Sequence, residues 1–81
     1  MRLAFSDRAV HAYQRLTPAL KRTADKQFSL LLRDLRHSSL RAKKYDAIRS
    51  VWQARLTRDW RFYFQIRADV YYILTIIRHP K

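Results

Sequence analysis

The spacing of apolar residues changes halfway along this 81-residue chain, and that change limits the possible folds more than any other feature. In the first half, apolar residues recur every three or four positions, which is typical of helices with one buried face. From Trp52 onward they alternate with polar residues, which is typical of strands in a half-buried sheet. Helices followed by strands predict an α+β domain, with the helices packed on one sheet face.

Two helices are predicted in the first half, after a short β-prone start at residues 1–5. Ser6 or Asp7 can cap the first helix by accepting backbone N–H bonds. Thr17-Pro18 has the form of an N-cap followed by proline at the first helical position, and it predicts a second helix that ends near Leu35. We expect the two helices to form an antiparallel hairpin. The apolar stripe of the second helix consists of Leu20, Ala24, Phe28, Leu31 and Leu35.

The second half is predicted to contain a loop and three strands. Residues 36–50 show no sustained apolar period and carry five Lys or Arg, so we expect an exposed basic loop. Three antiparallel strands follow, with hairpin turns at Arg58-Asp59 and Ala68-Asp69, which gives the order β-α-α-β-β-β. Because the chain has no glycine, we expect an aspartate at any left-handed turn position.

The alternation also predicts which side chains of the sheet face the helices. The open face is expected to collect Gln53, Arg55, Arg61, Tyr63 and, by its phase from Tyr71, His79. A sheet face lined with Arg, Tyr and His is suited to contact the phosphates of a nucleic acid. The face under the helices is expected to take Trp52, Ala54, Leu56, Phe62, Phe64, Ile66, Tyr72, Leu74 and Ile76.

The charge of the chain predicts an anionic partner. Eighteen Lys and Arg stand against six acidic residues, a formal net charge of +12. A domain this small repels itself unless it meets nucleic acid, an acidic protein or an anionic membrane. The longest apolar run, from Val70 to Ile77, is too short to cross a bilayer, and the start lacks a secretory pattern. We therefore expect one cytoplasmic domain over residues 1–81 with no membrane association.

Neither a metal nor another cofactor is expected. The chain has no cysteine, so it has neither disulfides nor thiolate ligands. It also lacks a cluster of carboxylates or a pair of histidines at the spacing that metal ligands need.

Two segments resemble the RelE/ParE superfamily of bacterial toxins. One reads WQARLTRDWRFYF, from Trp52 to Phe64, and the other is the closing IIRHPK. The order of elements and the basic loop fit the same family, so the resemblance covers nearly the whole chain. It implies the RelE-like fold and the toxin component of a type II toxin–antitoxin pair. It also implies a cognate acidic antitoxin that neutralises the toxin in a hetero-oligomer.

The superfamily includes two activities. RelE-, YoeB- and YafQ-like members cleave mRNA in the ribosomal A site, whereas ParE-like members poison DNA gyrase. Asp59-Trp60 and His79 resemble the Asp-Trp pair and the late His of YafQ-like enzymes. The resemblance therefore implies a metal-independent endoribonuclease that acts on mRNA at the ribosome and inhibits translation. A gyrase inhibitor without chemistry, or a non-catalytic RNA-binding member, is the alternative.

Catalytic roles follow from the same resemblance for Arg61, Arg55, His79 and Asp59. Arg61 matches the arginine that holds the scissile phosphate, and Arg55 stands where YafQ-like enzymes have a His and RelE-like enzymes a catalytic Lys. Arginine stays protonated, so Arg55 is expected to stabilise the phosphate rather than to take a proton. Histidine exchanges protons near neutral pH, which makes His79 the expected general acid.

The general base is left open at this point. A lysine can serve only where neighbouring positive charge makes it give up its proton, and either Lys43 or Lys44 is a candidate. Asp59 is a second candidate.

Several more residues are expected to bind RNA. RelE- and YoeB-like enzymes usually place a Tyr or Phe after the late His to stack on a base, whereas Pro80 follows His79 here. Stacking is therefore expected from Tyr63 or Trp60 instead. The full set of expected RNA-binding residues is Lys43, Lys44, Tyr63, Trp60, Arg78 and Lys81.

Overall fold

The fold is a five-stranded sheet with two helices, seen in a computed structural model that describes residues 1–79. The expected RNA contact at Lys81 lies outside the described residues. The strands are ordered β1-β5-β4-β3-β2 in the sheet. The elements are β1 (Arg2–Phe5), α1 (Asp7–Gln14), α2 (Pro18–Arg33), β2 (Lys43–Asp46), β3 (Val51–Arg55), β4 (Trp60–Arg67) and β5 (Val70–Arg78).

The predicted α+β class is confirmed, but the sheet is mixed rather than purely antiparallel. β1 runs parallel to β5, while the pairs β5–β4, β4–β3 and β3–β2 are antiparallel. The parallel pair arises because the chain leaves β1 through both helices and returns to its neighbour only at the last strand. Within residues 1–79, no helix is long and apolar enough to cross a bilayer.

Both helices begin where their capping residues predict. The Ser6 hydroxyl accepts the backbone N–H of Ala9 at 3.0 Å, and the Thr17 hydroxyl accepts that of Leu20 at 3.2 Å. Each bond satisfies one of the N–H groups that a helix start leaves without a partner. α2 ends at Arg33 rather than near residue 35.

A hydrogen bond joins the two helices. The Tyr13 hydroxyl in α1 donates to a carboxylate oxygen of Asp25 in α2 at 2.8 Å, and this bond raises the pKa of Tyr13 above its ordinary value. Only residues 15–17 separate the two helices, so they lie as neighbours on the sheet.

The core lies between the helices and one face of the sheet, as predicted. Phe28 of α2 packs edge-on against Phe62 of β4, with 5.1 Å between ring centroids. Burial of these rings and their aliphatic neighbours is the main source of stability in a chain without disulfides. The buried apolar residues are Ala9, Leu16, Ala24, Phe28, Leu31, Leu40, Ala54, Leu56, Phe62, Phe64, Tyr71, Ile73 and Ile76.

The expectation that residues 36–50 form a loop throughout is wrong, because β2 lies within them. β2 is an edge strand whose side chains are mostly exposed. An edge strand that is polar on both faces carries no apolar alternation, so its sequence does not reveal it.

The predicted alternation is also wrong in the first half of β5. Tyr71 and Ile73 are buried there, rather than Tyr72 and Leu74. A β-bulge is the cause: Leu74 has no residue opposite it in β4, and one extra residue exchanges the two faces of a strand. The hydroxyl of Ser6, which follows the edge strand β1, donates to the Leu74 carbonyl at 2.7 Å and stabilises the bulge.

Aspartate does not take the left-handed positions, contrary to expectation. Arg41, Ser50 and Ala68 have positive φ, at 47°, 56° and 52°. In the turn between β4 and β5, Ala68 rather than Asp69 adopts this conformation, since a two-residue hairpin that matches strand twist requires positive φ at its first central position. The turn geometry overrides the preference of the side chain there.

Candidate active site

Four cations and an imidazole surround a cavity on the open face of the sheet. The cavity has a volume of about 200 Å³. Three of the four residues with an expected catalytic role, Arg55, Arg61 and His79, lie around it. The residues that line it are Arg41, Lys43, Gln53, Arg55, Arg61 and His79.

Pairing between the strands brings these three residues together. Arg55 of β3 lies opposite Arg61 of β4, which lies opposite Ile77 of β5. Residues in one such row point to the same face. The bulge at Leu74 determines which face of the sheet each later side chain of the strand points to. Ile77 and then His79 therefore lie on the open face.

His79 is held by the backbone rather than by its side chain. Its N–H donates to the carbonyl oxygen of Asp59 at 2.6 Å, one step beyond the last paired residues of β4 and β5. The amide of Asp59 in turn donates to the Thr57 hydroxyl at 3.2 Å, which stabilises the turn. The Asp59 carboxylate is not among the groups that line the cavity. Asp59 therefore contributes to the site through its backbone.

Arg61 is fixed against the turn between β3 and β4. Its Nη1 donates to the carbonyl oxygens of Thr57 at 2.8 Å, Trp60 at 3.0 Å and Arg58 at 3.2 Å. Among the described residues these are the hydrogen bonds of the guanidinium, so Nε and Nη2 remain as donors for an anion. A guanidinium held in this way is oriented before a phosphate arrives.

The structure separates the two candidate lysines. Lys43 lies opposite Gln53 and lines the cavity. Lys44 lies opposite Trp52, and its Nζ sits 5.9 Å from the centre of a Trp52 ring. That ring stacks on Phe64 of the core, so Lys44 points to the helical side of the sheet.

The other expected RNA-binding residues are not all on the open face. Tyr63 lies beside the cavity, where its hydroxyl accepts a hydrogen bond from Gln53 Nε2 at 2.8 Å. Trp60 packs against the core and lines a separate cavity with Leu16, which lies between α1 and α2. Arg78 lies opposite Trp60 and shares its side of the sheet. Of the members of this set within residues 1–79, the open face therefore brings together Tyr63 and Lys43.

Two lining residues were not expected in the site. Arg41 lies in the segment before β2, where no period marks it, and its positive φ is a conformation that costs energy for a residue other than glycine. Gln53 was expected on the open face without a role there. It is buried, with 8% of its surface exposed, beneath Tyr63 and Lys43.

A buried glutamine holds the site together from the helical side. Gln27 of α2 is 5% exposed, and its Nε2 donates to the carbonyls of Arg55 at 2.8 Å and Ser39 at 3.3 Å. The Arg55 N–H donates to the Leu40 carbonyl at 2.6 Å. These bonds fix the segment that leads to Arg41 against β3. The signal in the sequence was a polar residue within the apolar stripe of α2.

The cavity is positively charged and its cations are not neutralised by acids. Within residues 1–79 the two ion pairs join Arg2 to Asp69 and Asp46 to Arg49, and neither touches the cavity. The same residues contain no group of three or more His, Cys, Asp or Glu that could hold a metal ion. An anion that enters therefore meets several cations whose mutual repulsion it relieves.

Comparison with solved structures identifies the fold. The chain superposes on the YoeB/ParE toxin from Agrobacterium tumefaciens with a TM-score of 0.82 at 14% identity, covering 99% of this chain and 100% of that one. It superposes on the archaeal RelE–RelB complex from Pyrococcus horikoshii with a TM-score of 0.82 at 20% identity, covering 99% and 96%. The YoeB dimer from Staphylococcus aureus gives 0.81 at 13% identity, covering 99% and 98%.

The chain has the fold of the RelE/ParE superfamily toxins, as its sequence motifs indicated. RelE and YafQ of E. coli are among the other structures that match. No protein-family model matches the sequence, and no curated protein does. The similarity to these toxins therefore lies in the backbone fold, and the sequence identities do not transfer an activity to this chain.

Proposed function

We propose that this chain is the toxin of a type II toxin–antitoxin pair and a ribosome-dependent endoribonuclease that cleaves mRNA and stops translation in the cytoplasm. The observation that carries the proposal is the convergence of Arg55, Arg61 and His79 on one cationic cavity. A proton donor next to two phosphate-binding guanidinium groups serves RNA cleavage, whereas a protein that only inhibits gyrase has no need of one. The solved toxins of the same fold support the class of protein.

The proposed reaction is attack of an RNA 2′-hydroxyl on the adjacent phosphorus. The bond from O2′ to phosphorus forms, the bond from phosphorus to O5′ breaks, and the products carry a 2′,3′-cyclic phosphate and a free 5′-hydroxyl. The crowded phosphate gains negative charge in the transition state. Arg61 and Arg55 bind its oxygens, and Arg41 adds positive charge at the cavity wall. Because Arg61 is already fixed, little reorganisation accompanies the reaction.

Two side chains divide the proton transfers in this proposal. Arginine stays charged and an amide is not basic, so among the residues that line the cavity the proton transfers are assigned to His79 and Lys43. His79 protonates the leaving O5′, and Lys43 takes the proton of the 2′-hydroxyl. Tyr63, next to the cavity on the same face, offers its ring to a neighbouring base.

We further propose an acidic antitoxin as the partner. The net charge of +12 attracts an acidic segment, and such segments commonly fold on binding. Neighbours of the same fold have been solved as RelE–RelB and YoeB–YefM complexes. Co-expression with an adjacent acidic reading frame should restore growth and yield a hetero-oligomer; continued toxicity would count against the pairing.

In vitro translation with mapping of mRNA ends tests the activity. Wild type should cut mRNA only when ribosomes are present and leave cyclic phosphate ends. Arg61→Gln should lower the rate by about 10²–10³-fold, the usual loss on removing one donor to a developing oxyanion. Arg67→Gln is the matched control, because Arg67 is exposed near the far end of the same strand.

The same assay separates the alternatives. Intact mRNA together with inhibited DNA supercoiling would replace the proposal with gyrase inhibition. Intact mRNA, normal supercoiling and retained RNA affinity would leave a non-catalytic RNA-binding protein.

A further inference from the structure

A second cavity adjoins the candidate active site and shares two arginines with it. Its volume is about 470 Å³, and it lies where α2, the segment before β2 and the turn between β3 and β4 meet. Arg41 and Arg55 line both cavities. We infer that this second cavity binds a phosphodiester group that flanks the scissile one on the same RNA strand. The inference deepens the proposed function and rests on it.

The chemistry of the lining suits a phosphate. The cations are Lys26, Arg41, Arg55 and Arg58, and no carboxylate lines the cavity. Guanidinium and ammonium groups donate charge-assisted hydrogen bonds to phosphate oxygens, and hydroxyls commonly complete such sites. The hydroxyl-bearing residues of the lining are Thr23, Ser38, Ser39 and Thr57.

The floor of this cavity is rigid. Gln27 lines it, and the buried amide of Gln27 bonds the carbonyls of Ser39 and Arg55 from below. Thr57 also lines the second cavity, and its carbonyl accepts a hydrogen bond from Arg61 of the first cavity. The two cavities are thus parts of one fixed framework rather than independent surface patches.

The shared arginines favour a continuous RNA strand over an acidic peptide as the occupant. Because Arg41 and Arg55 line both cavities, a strand bound at Arg61 in the first cavity contacts the second through these two shared guanidinium groups. Lys26 and Arg58, which line only the second cavity, then contact the flanking phosphate alone. Their removal should weaken binding of a longer strand without affecting a single phosphodiester.

The experiment compares two uncleavable 2′-O-methyl RNAs, a dinucleotide and a hexanucleotide, by fluorescence anisotropy over a range of salt concentrations. The test variant is Lys26→Gln/Arg58→Gln. Both side chains are exposed, and neither forms a hydrogen bond or ion pair among residues 1–79. The matched control is Arg8→Gln/Arg22→Gln, which removes the same charge from exposed helix positions that line neither cavity.

The test variant should bind the dinucleotide as wild type does. It should bind the hexanucleotide at least about tenfold more weakly, the decrease expected for one charge-assisted hydrogen bond. Its plot of log affinity against log salt should be shallower by about 0.7 for each phosphate that the variant no longer neutralises. Equal weakening in the control, or wild-type binding of the hexanucleotide by the test variant, would overturn the inference.

Two further outcomes are distinct. If the test variant loses affinity for polyglutamate but not for the hexanucleotide, the cavity serves an acidic protein segment and the inference is wrong. If the test variant shows the predicted selective loss of hexanucleotide affinity, yet wild type cleaves no mRNA on ribosomes, the second site stands and the proposed endoribonuclease activity fails.

Discussion

The backbone N–H of His79 donates a 2.6 Å hydrogen bond to the carbonyl oxygen of Asp59, and this bond sets the imidazole beside Arg61. The ladder of the sheet therefore places the three side chains of the candidate site, and hydrogen bonds from the side chains of Gln27 and Arg61 add to it. Arg55 and Arg61 lie in β3 and β4, and His79 directly follows β5, so the register of three neighbouring strands fixes their spacing. The side chains of Arg55 and His79 form no hydrogen bond among residues 1–79, so their substitution should leave the fold intact, whereas a substitution of Arg61 also removes its bonds to the turn.

Lys43 and Lys44 provide an internal comparison. Lys43→Gln should slow mRNA cleavage by about 10²-fold or more, because the proposed base is removed from the cavity. Lys44→Gln should cleave at nearly the wild-type rate, because its ammonium group lies over Trp52 on the other side of the sheet. The measurement is the single-turnover cleavage rate on programmed ribosomes. Equal decreases in both variants would indicate diffuse charge rather than a base.

Gln27→Leu should destabilise the fold by about 1–3 kcal/mol, because the partly buried carbonyls of Ser39 and Arg55 lose a donor. Urea denaturation measures the change in the free energy of unfolding. Gln14→Leu, at an exposed position of α1, should change it by no more than about 0.5 kcal/mol. A Gln27→Leu variant as stable as wild type would show that the segment before β2 does not depend on this amide.

Arg41→Gly should separate stability from function. Glycine relieves the left-handed backbone at this position, so the free energy of unfolding should rise by up to about 1 kcal/mol, while removal of the guanidinium slows cleavage. Ala68→Gly is the control, since it relieves the same strain in a turn away from the cavity and should cleave as wild type does. If Arg41→Gly cleaves as fast as wild type, the Arg41 guanidinium does not contribute to cleavage.

Local signals in the sequence predicted the helices and most of the core. The Ser6 and Thr17 caps act over three residues, and the stripe that includes Phe28 repeats within one element, so each can be recognised without knowledge of the fold. The alternation in β3 and β4 likewise placed Arg55 and Arg61 on the open face.

Features that depend on distant contacts were not predictable in this way. The bulge at Leu74 involves a hydrogen bond from Ser6, 68 residues earlier in the chain. Because of that bulge, the phase predicted from Tyr71 was wrong for Tyr71 itself, while His79 nevertheless fell on the open face. The choice between Lys43 and its neighbour required the pairing of β2, which the sequence did not reveal.

The most direct test of the central claim is the single-turnover rate at which His79→Gln cleaves ribosome-bound mRNA. If His79 protonates the leaving oxygen in the cavity formed with Arg55 and Arg61, the rate should fall by about 10²–10⁴-fold, the usual contribution of a general acid. His11→Gln, at an exposed position of α1, should match wild type. Cleavage by His79→Gln at the wild-type rate would contradict the account.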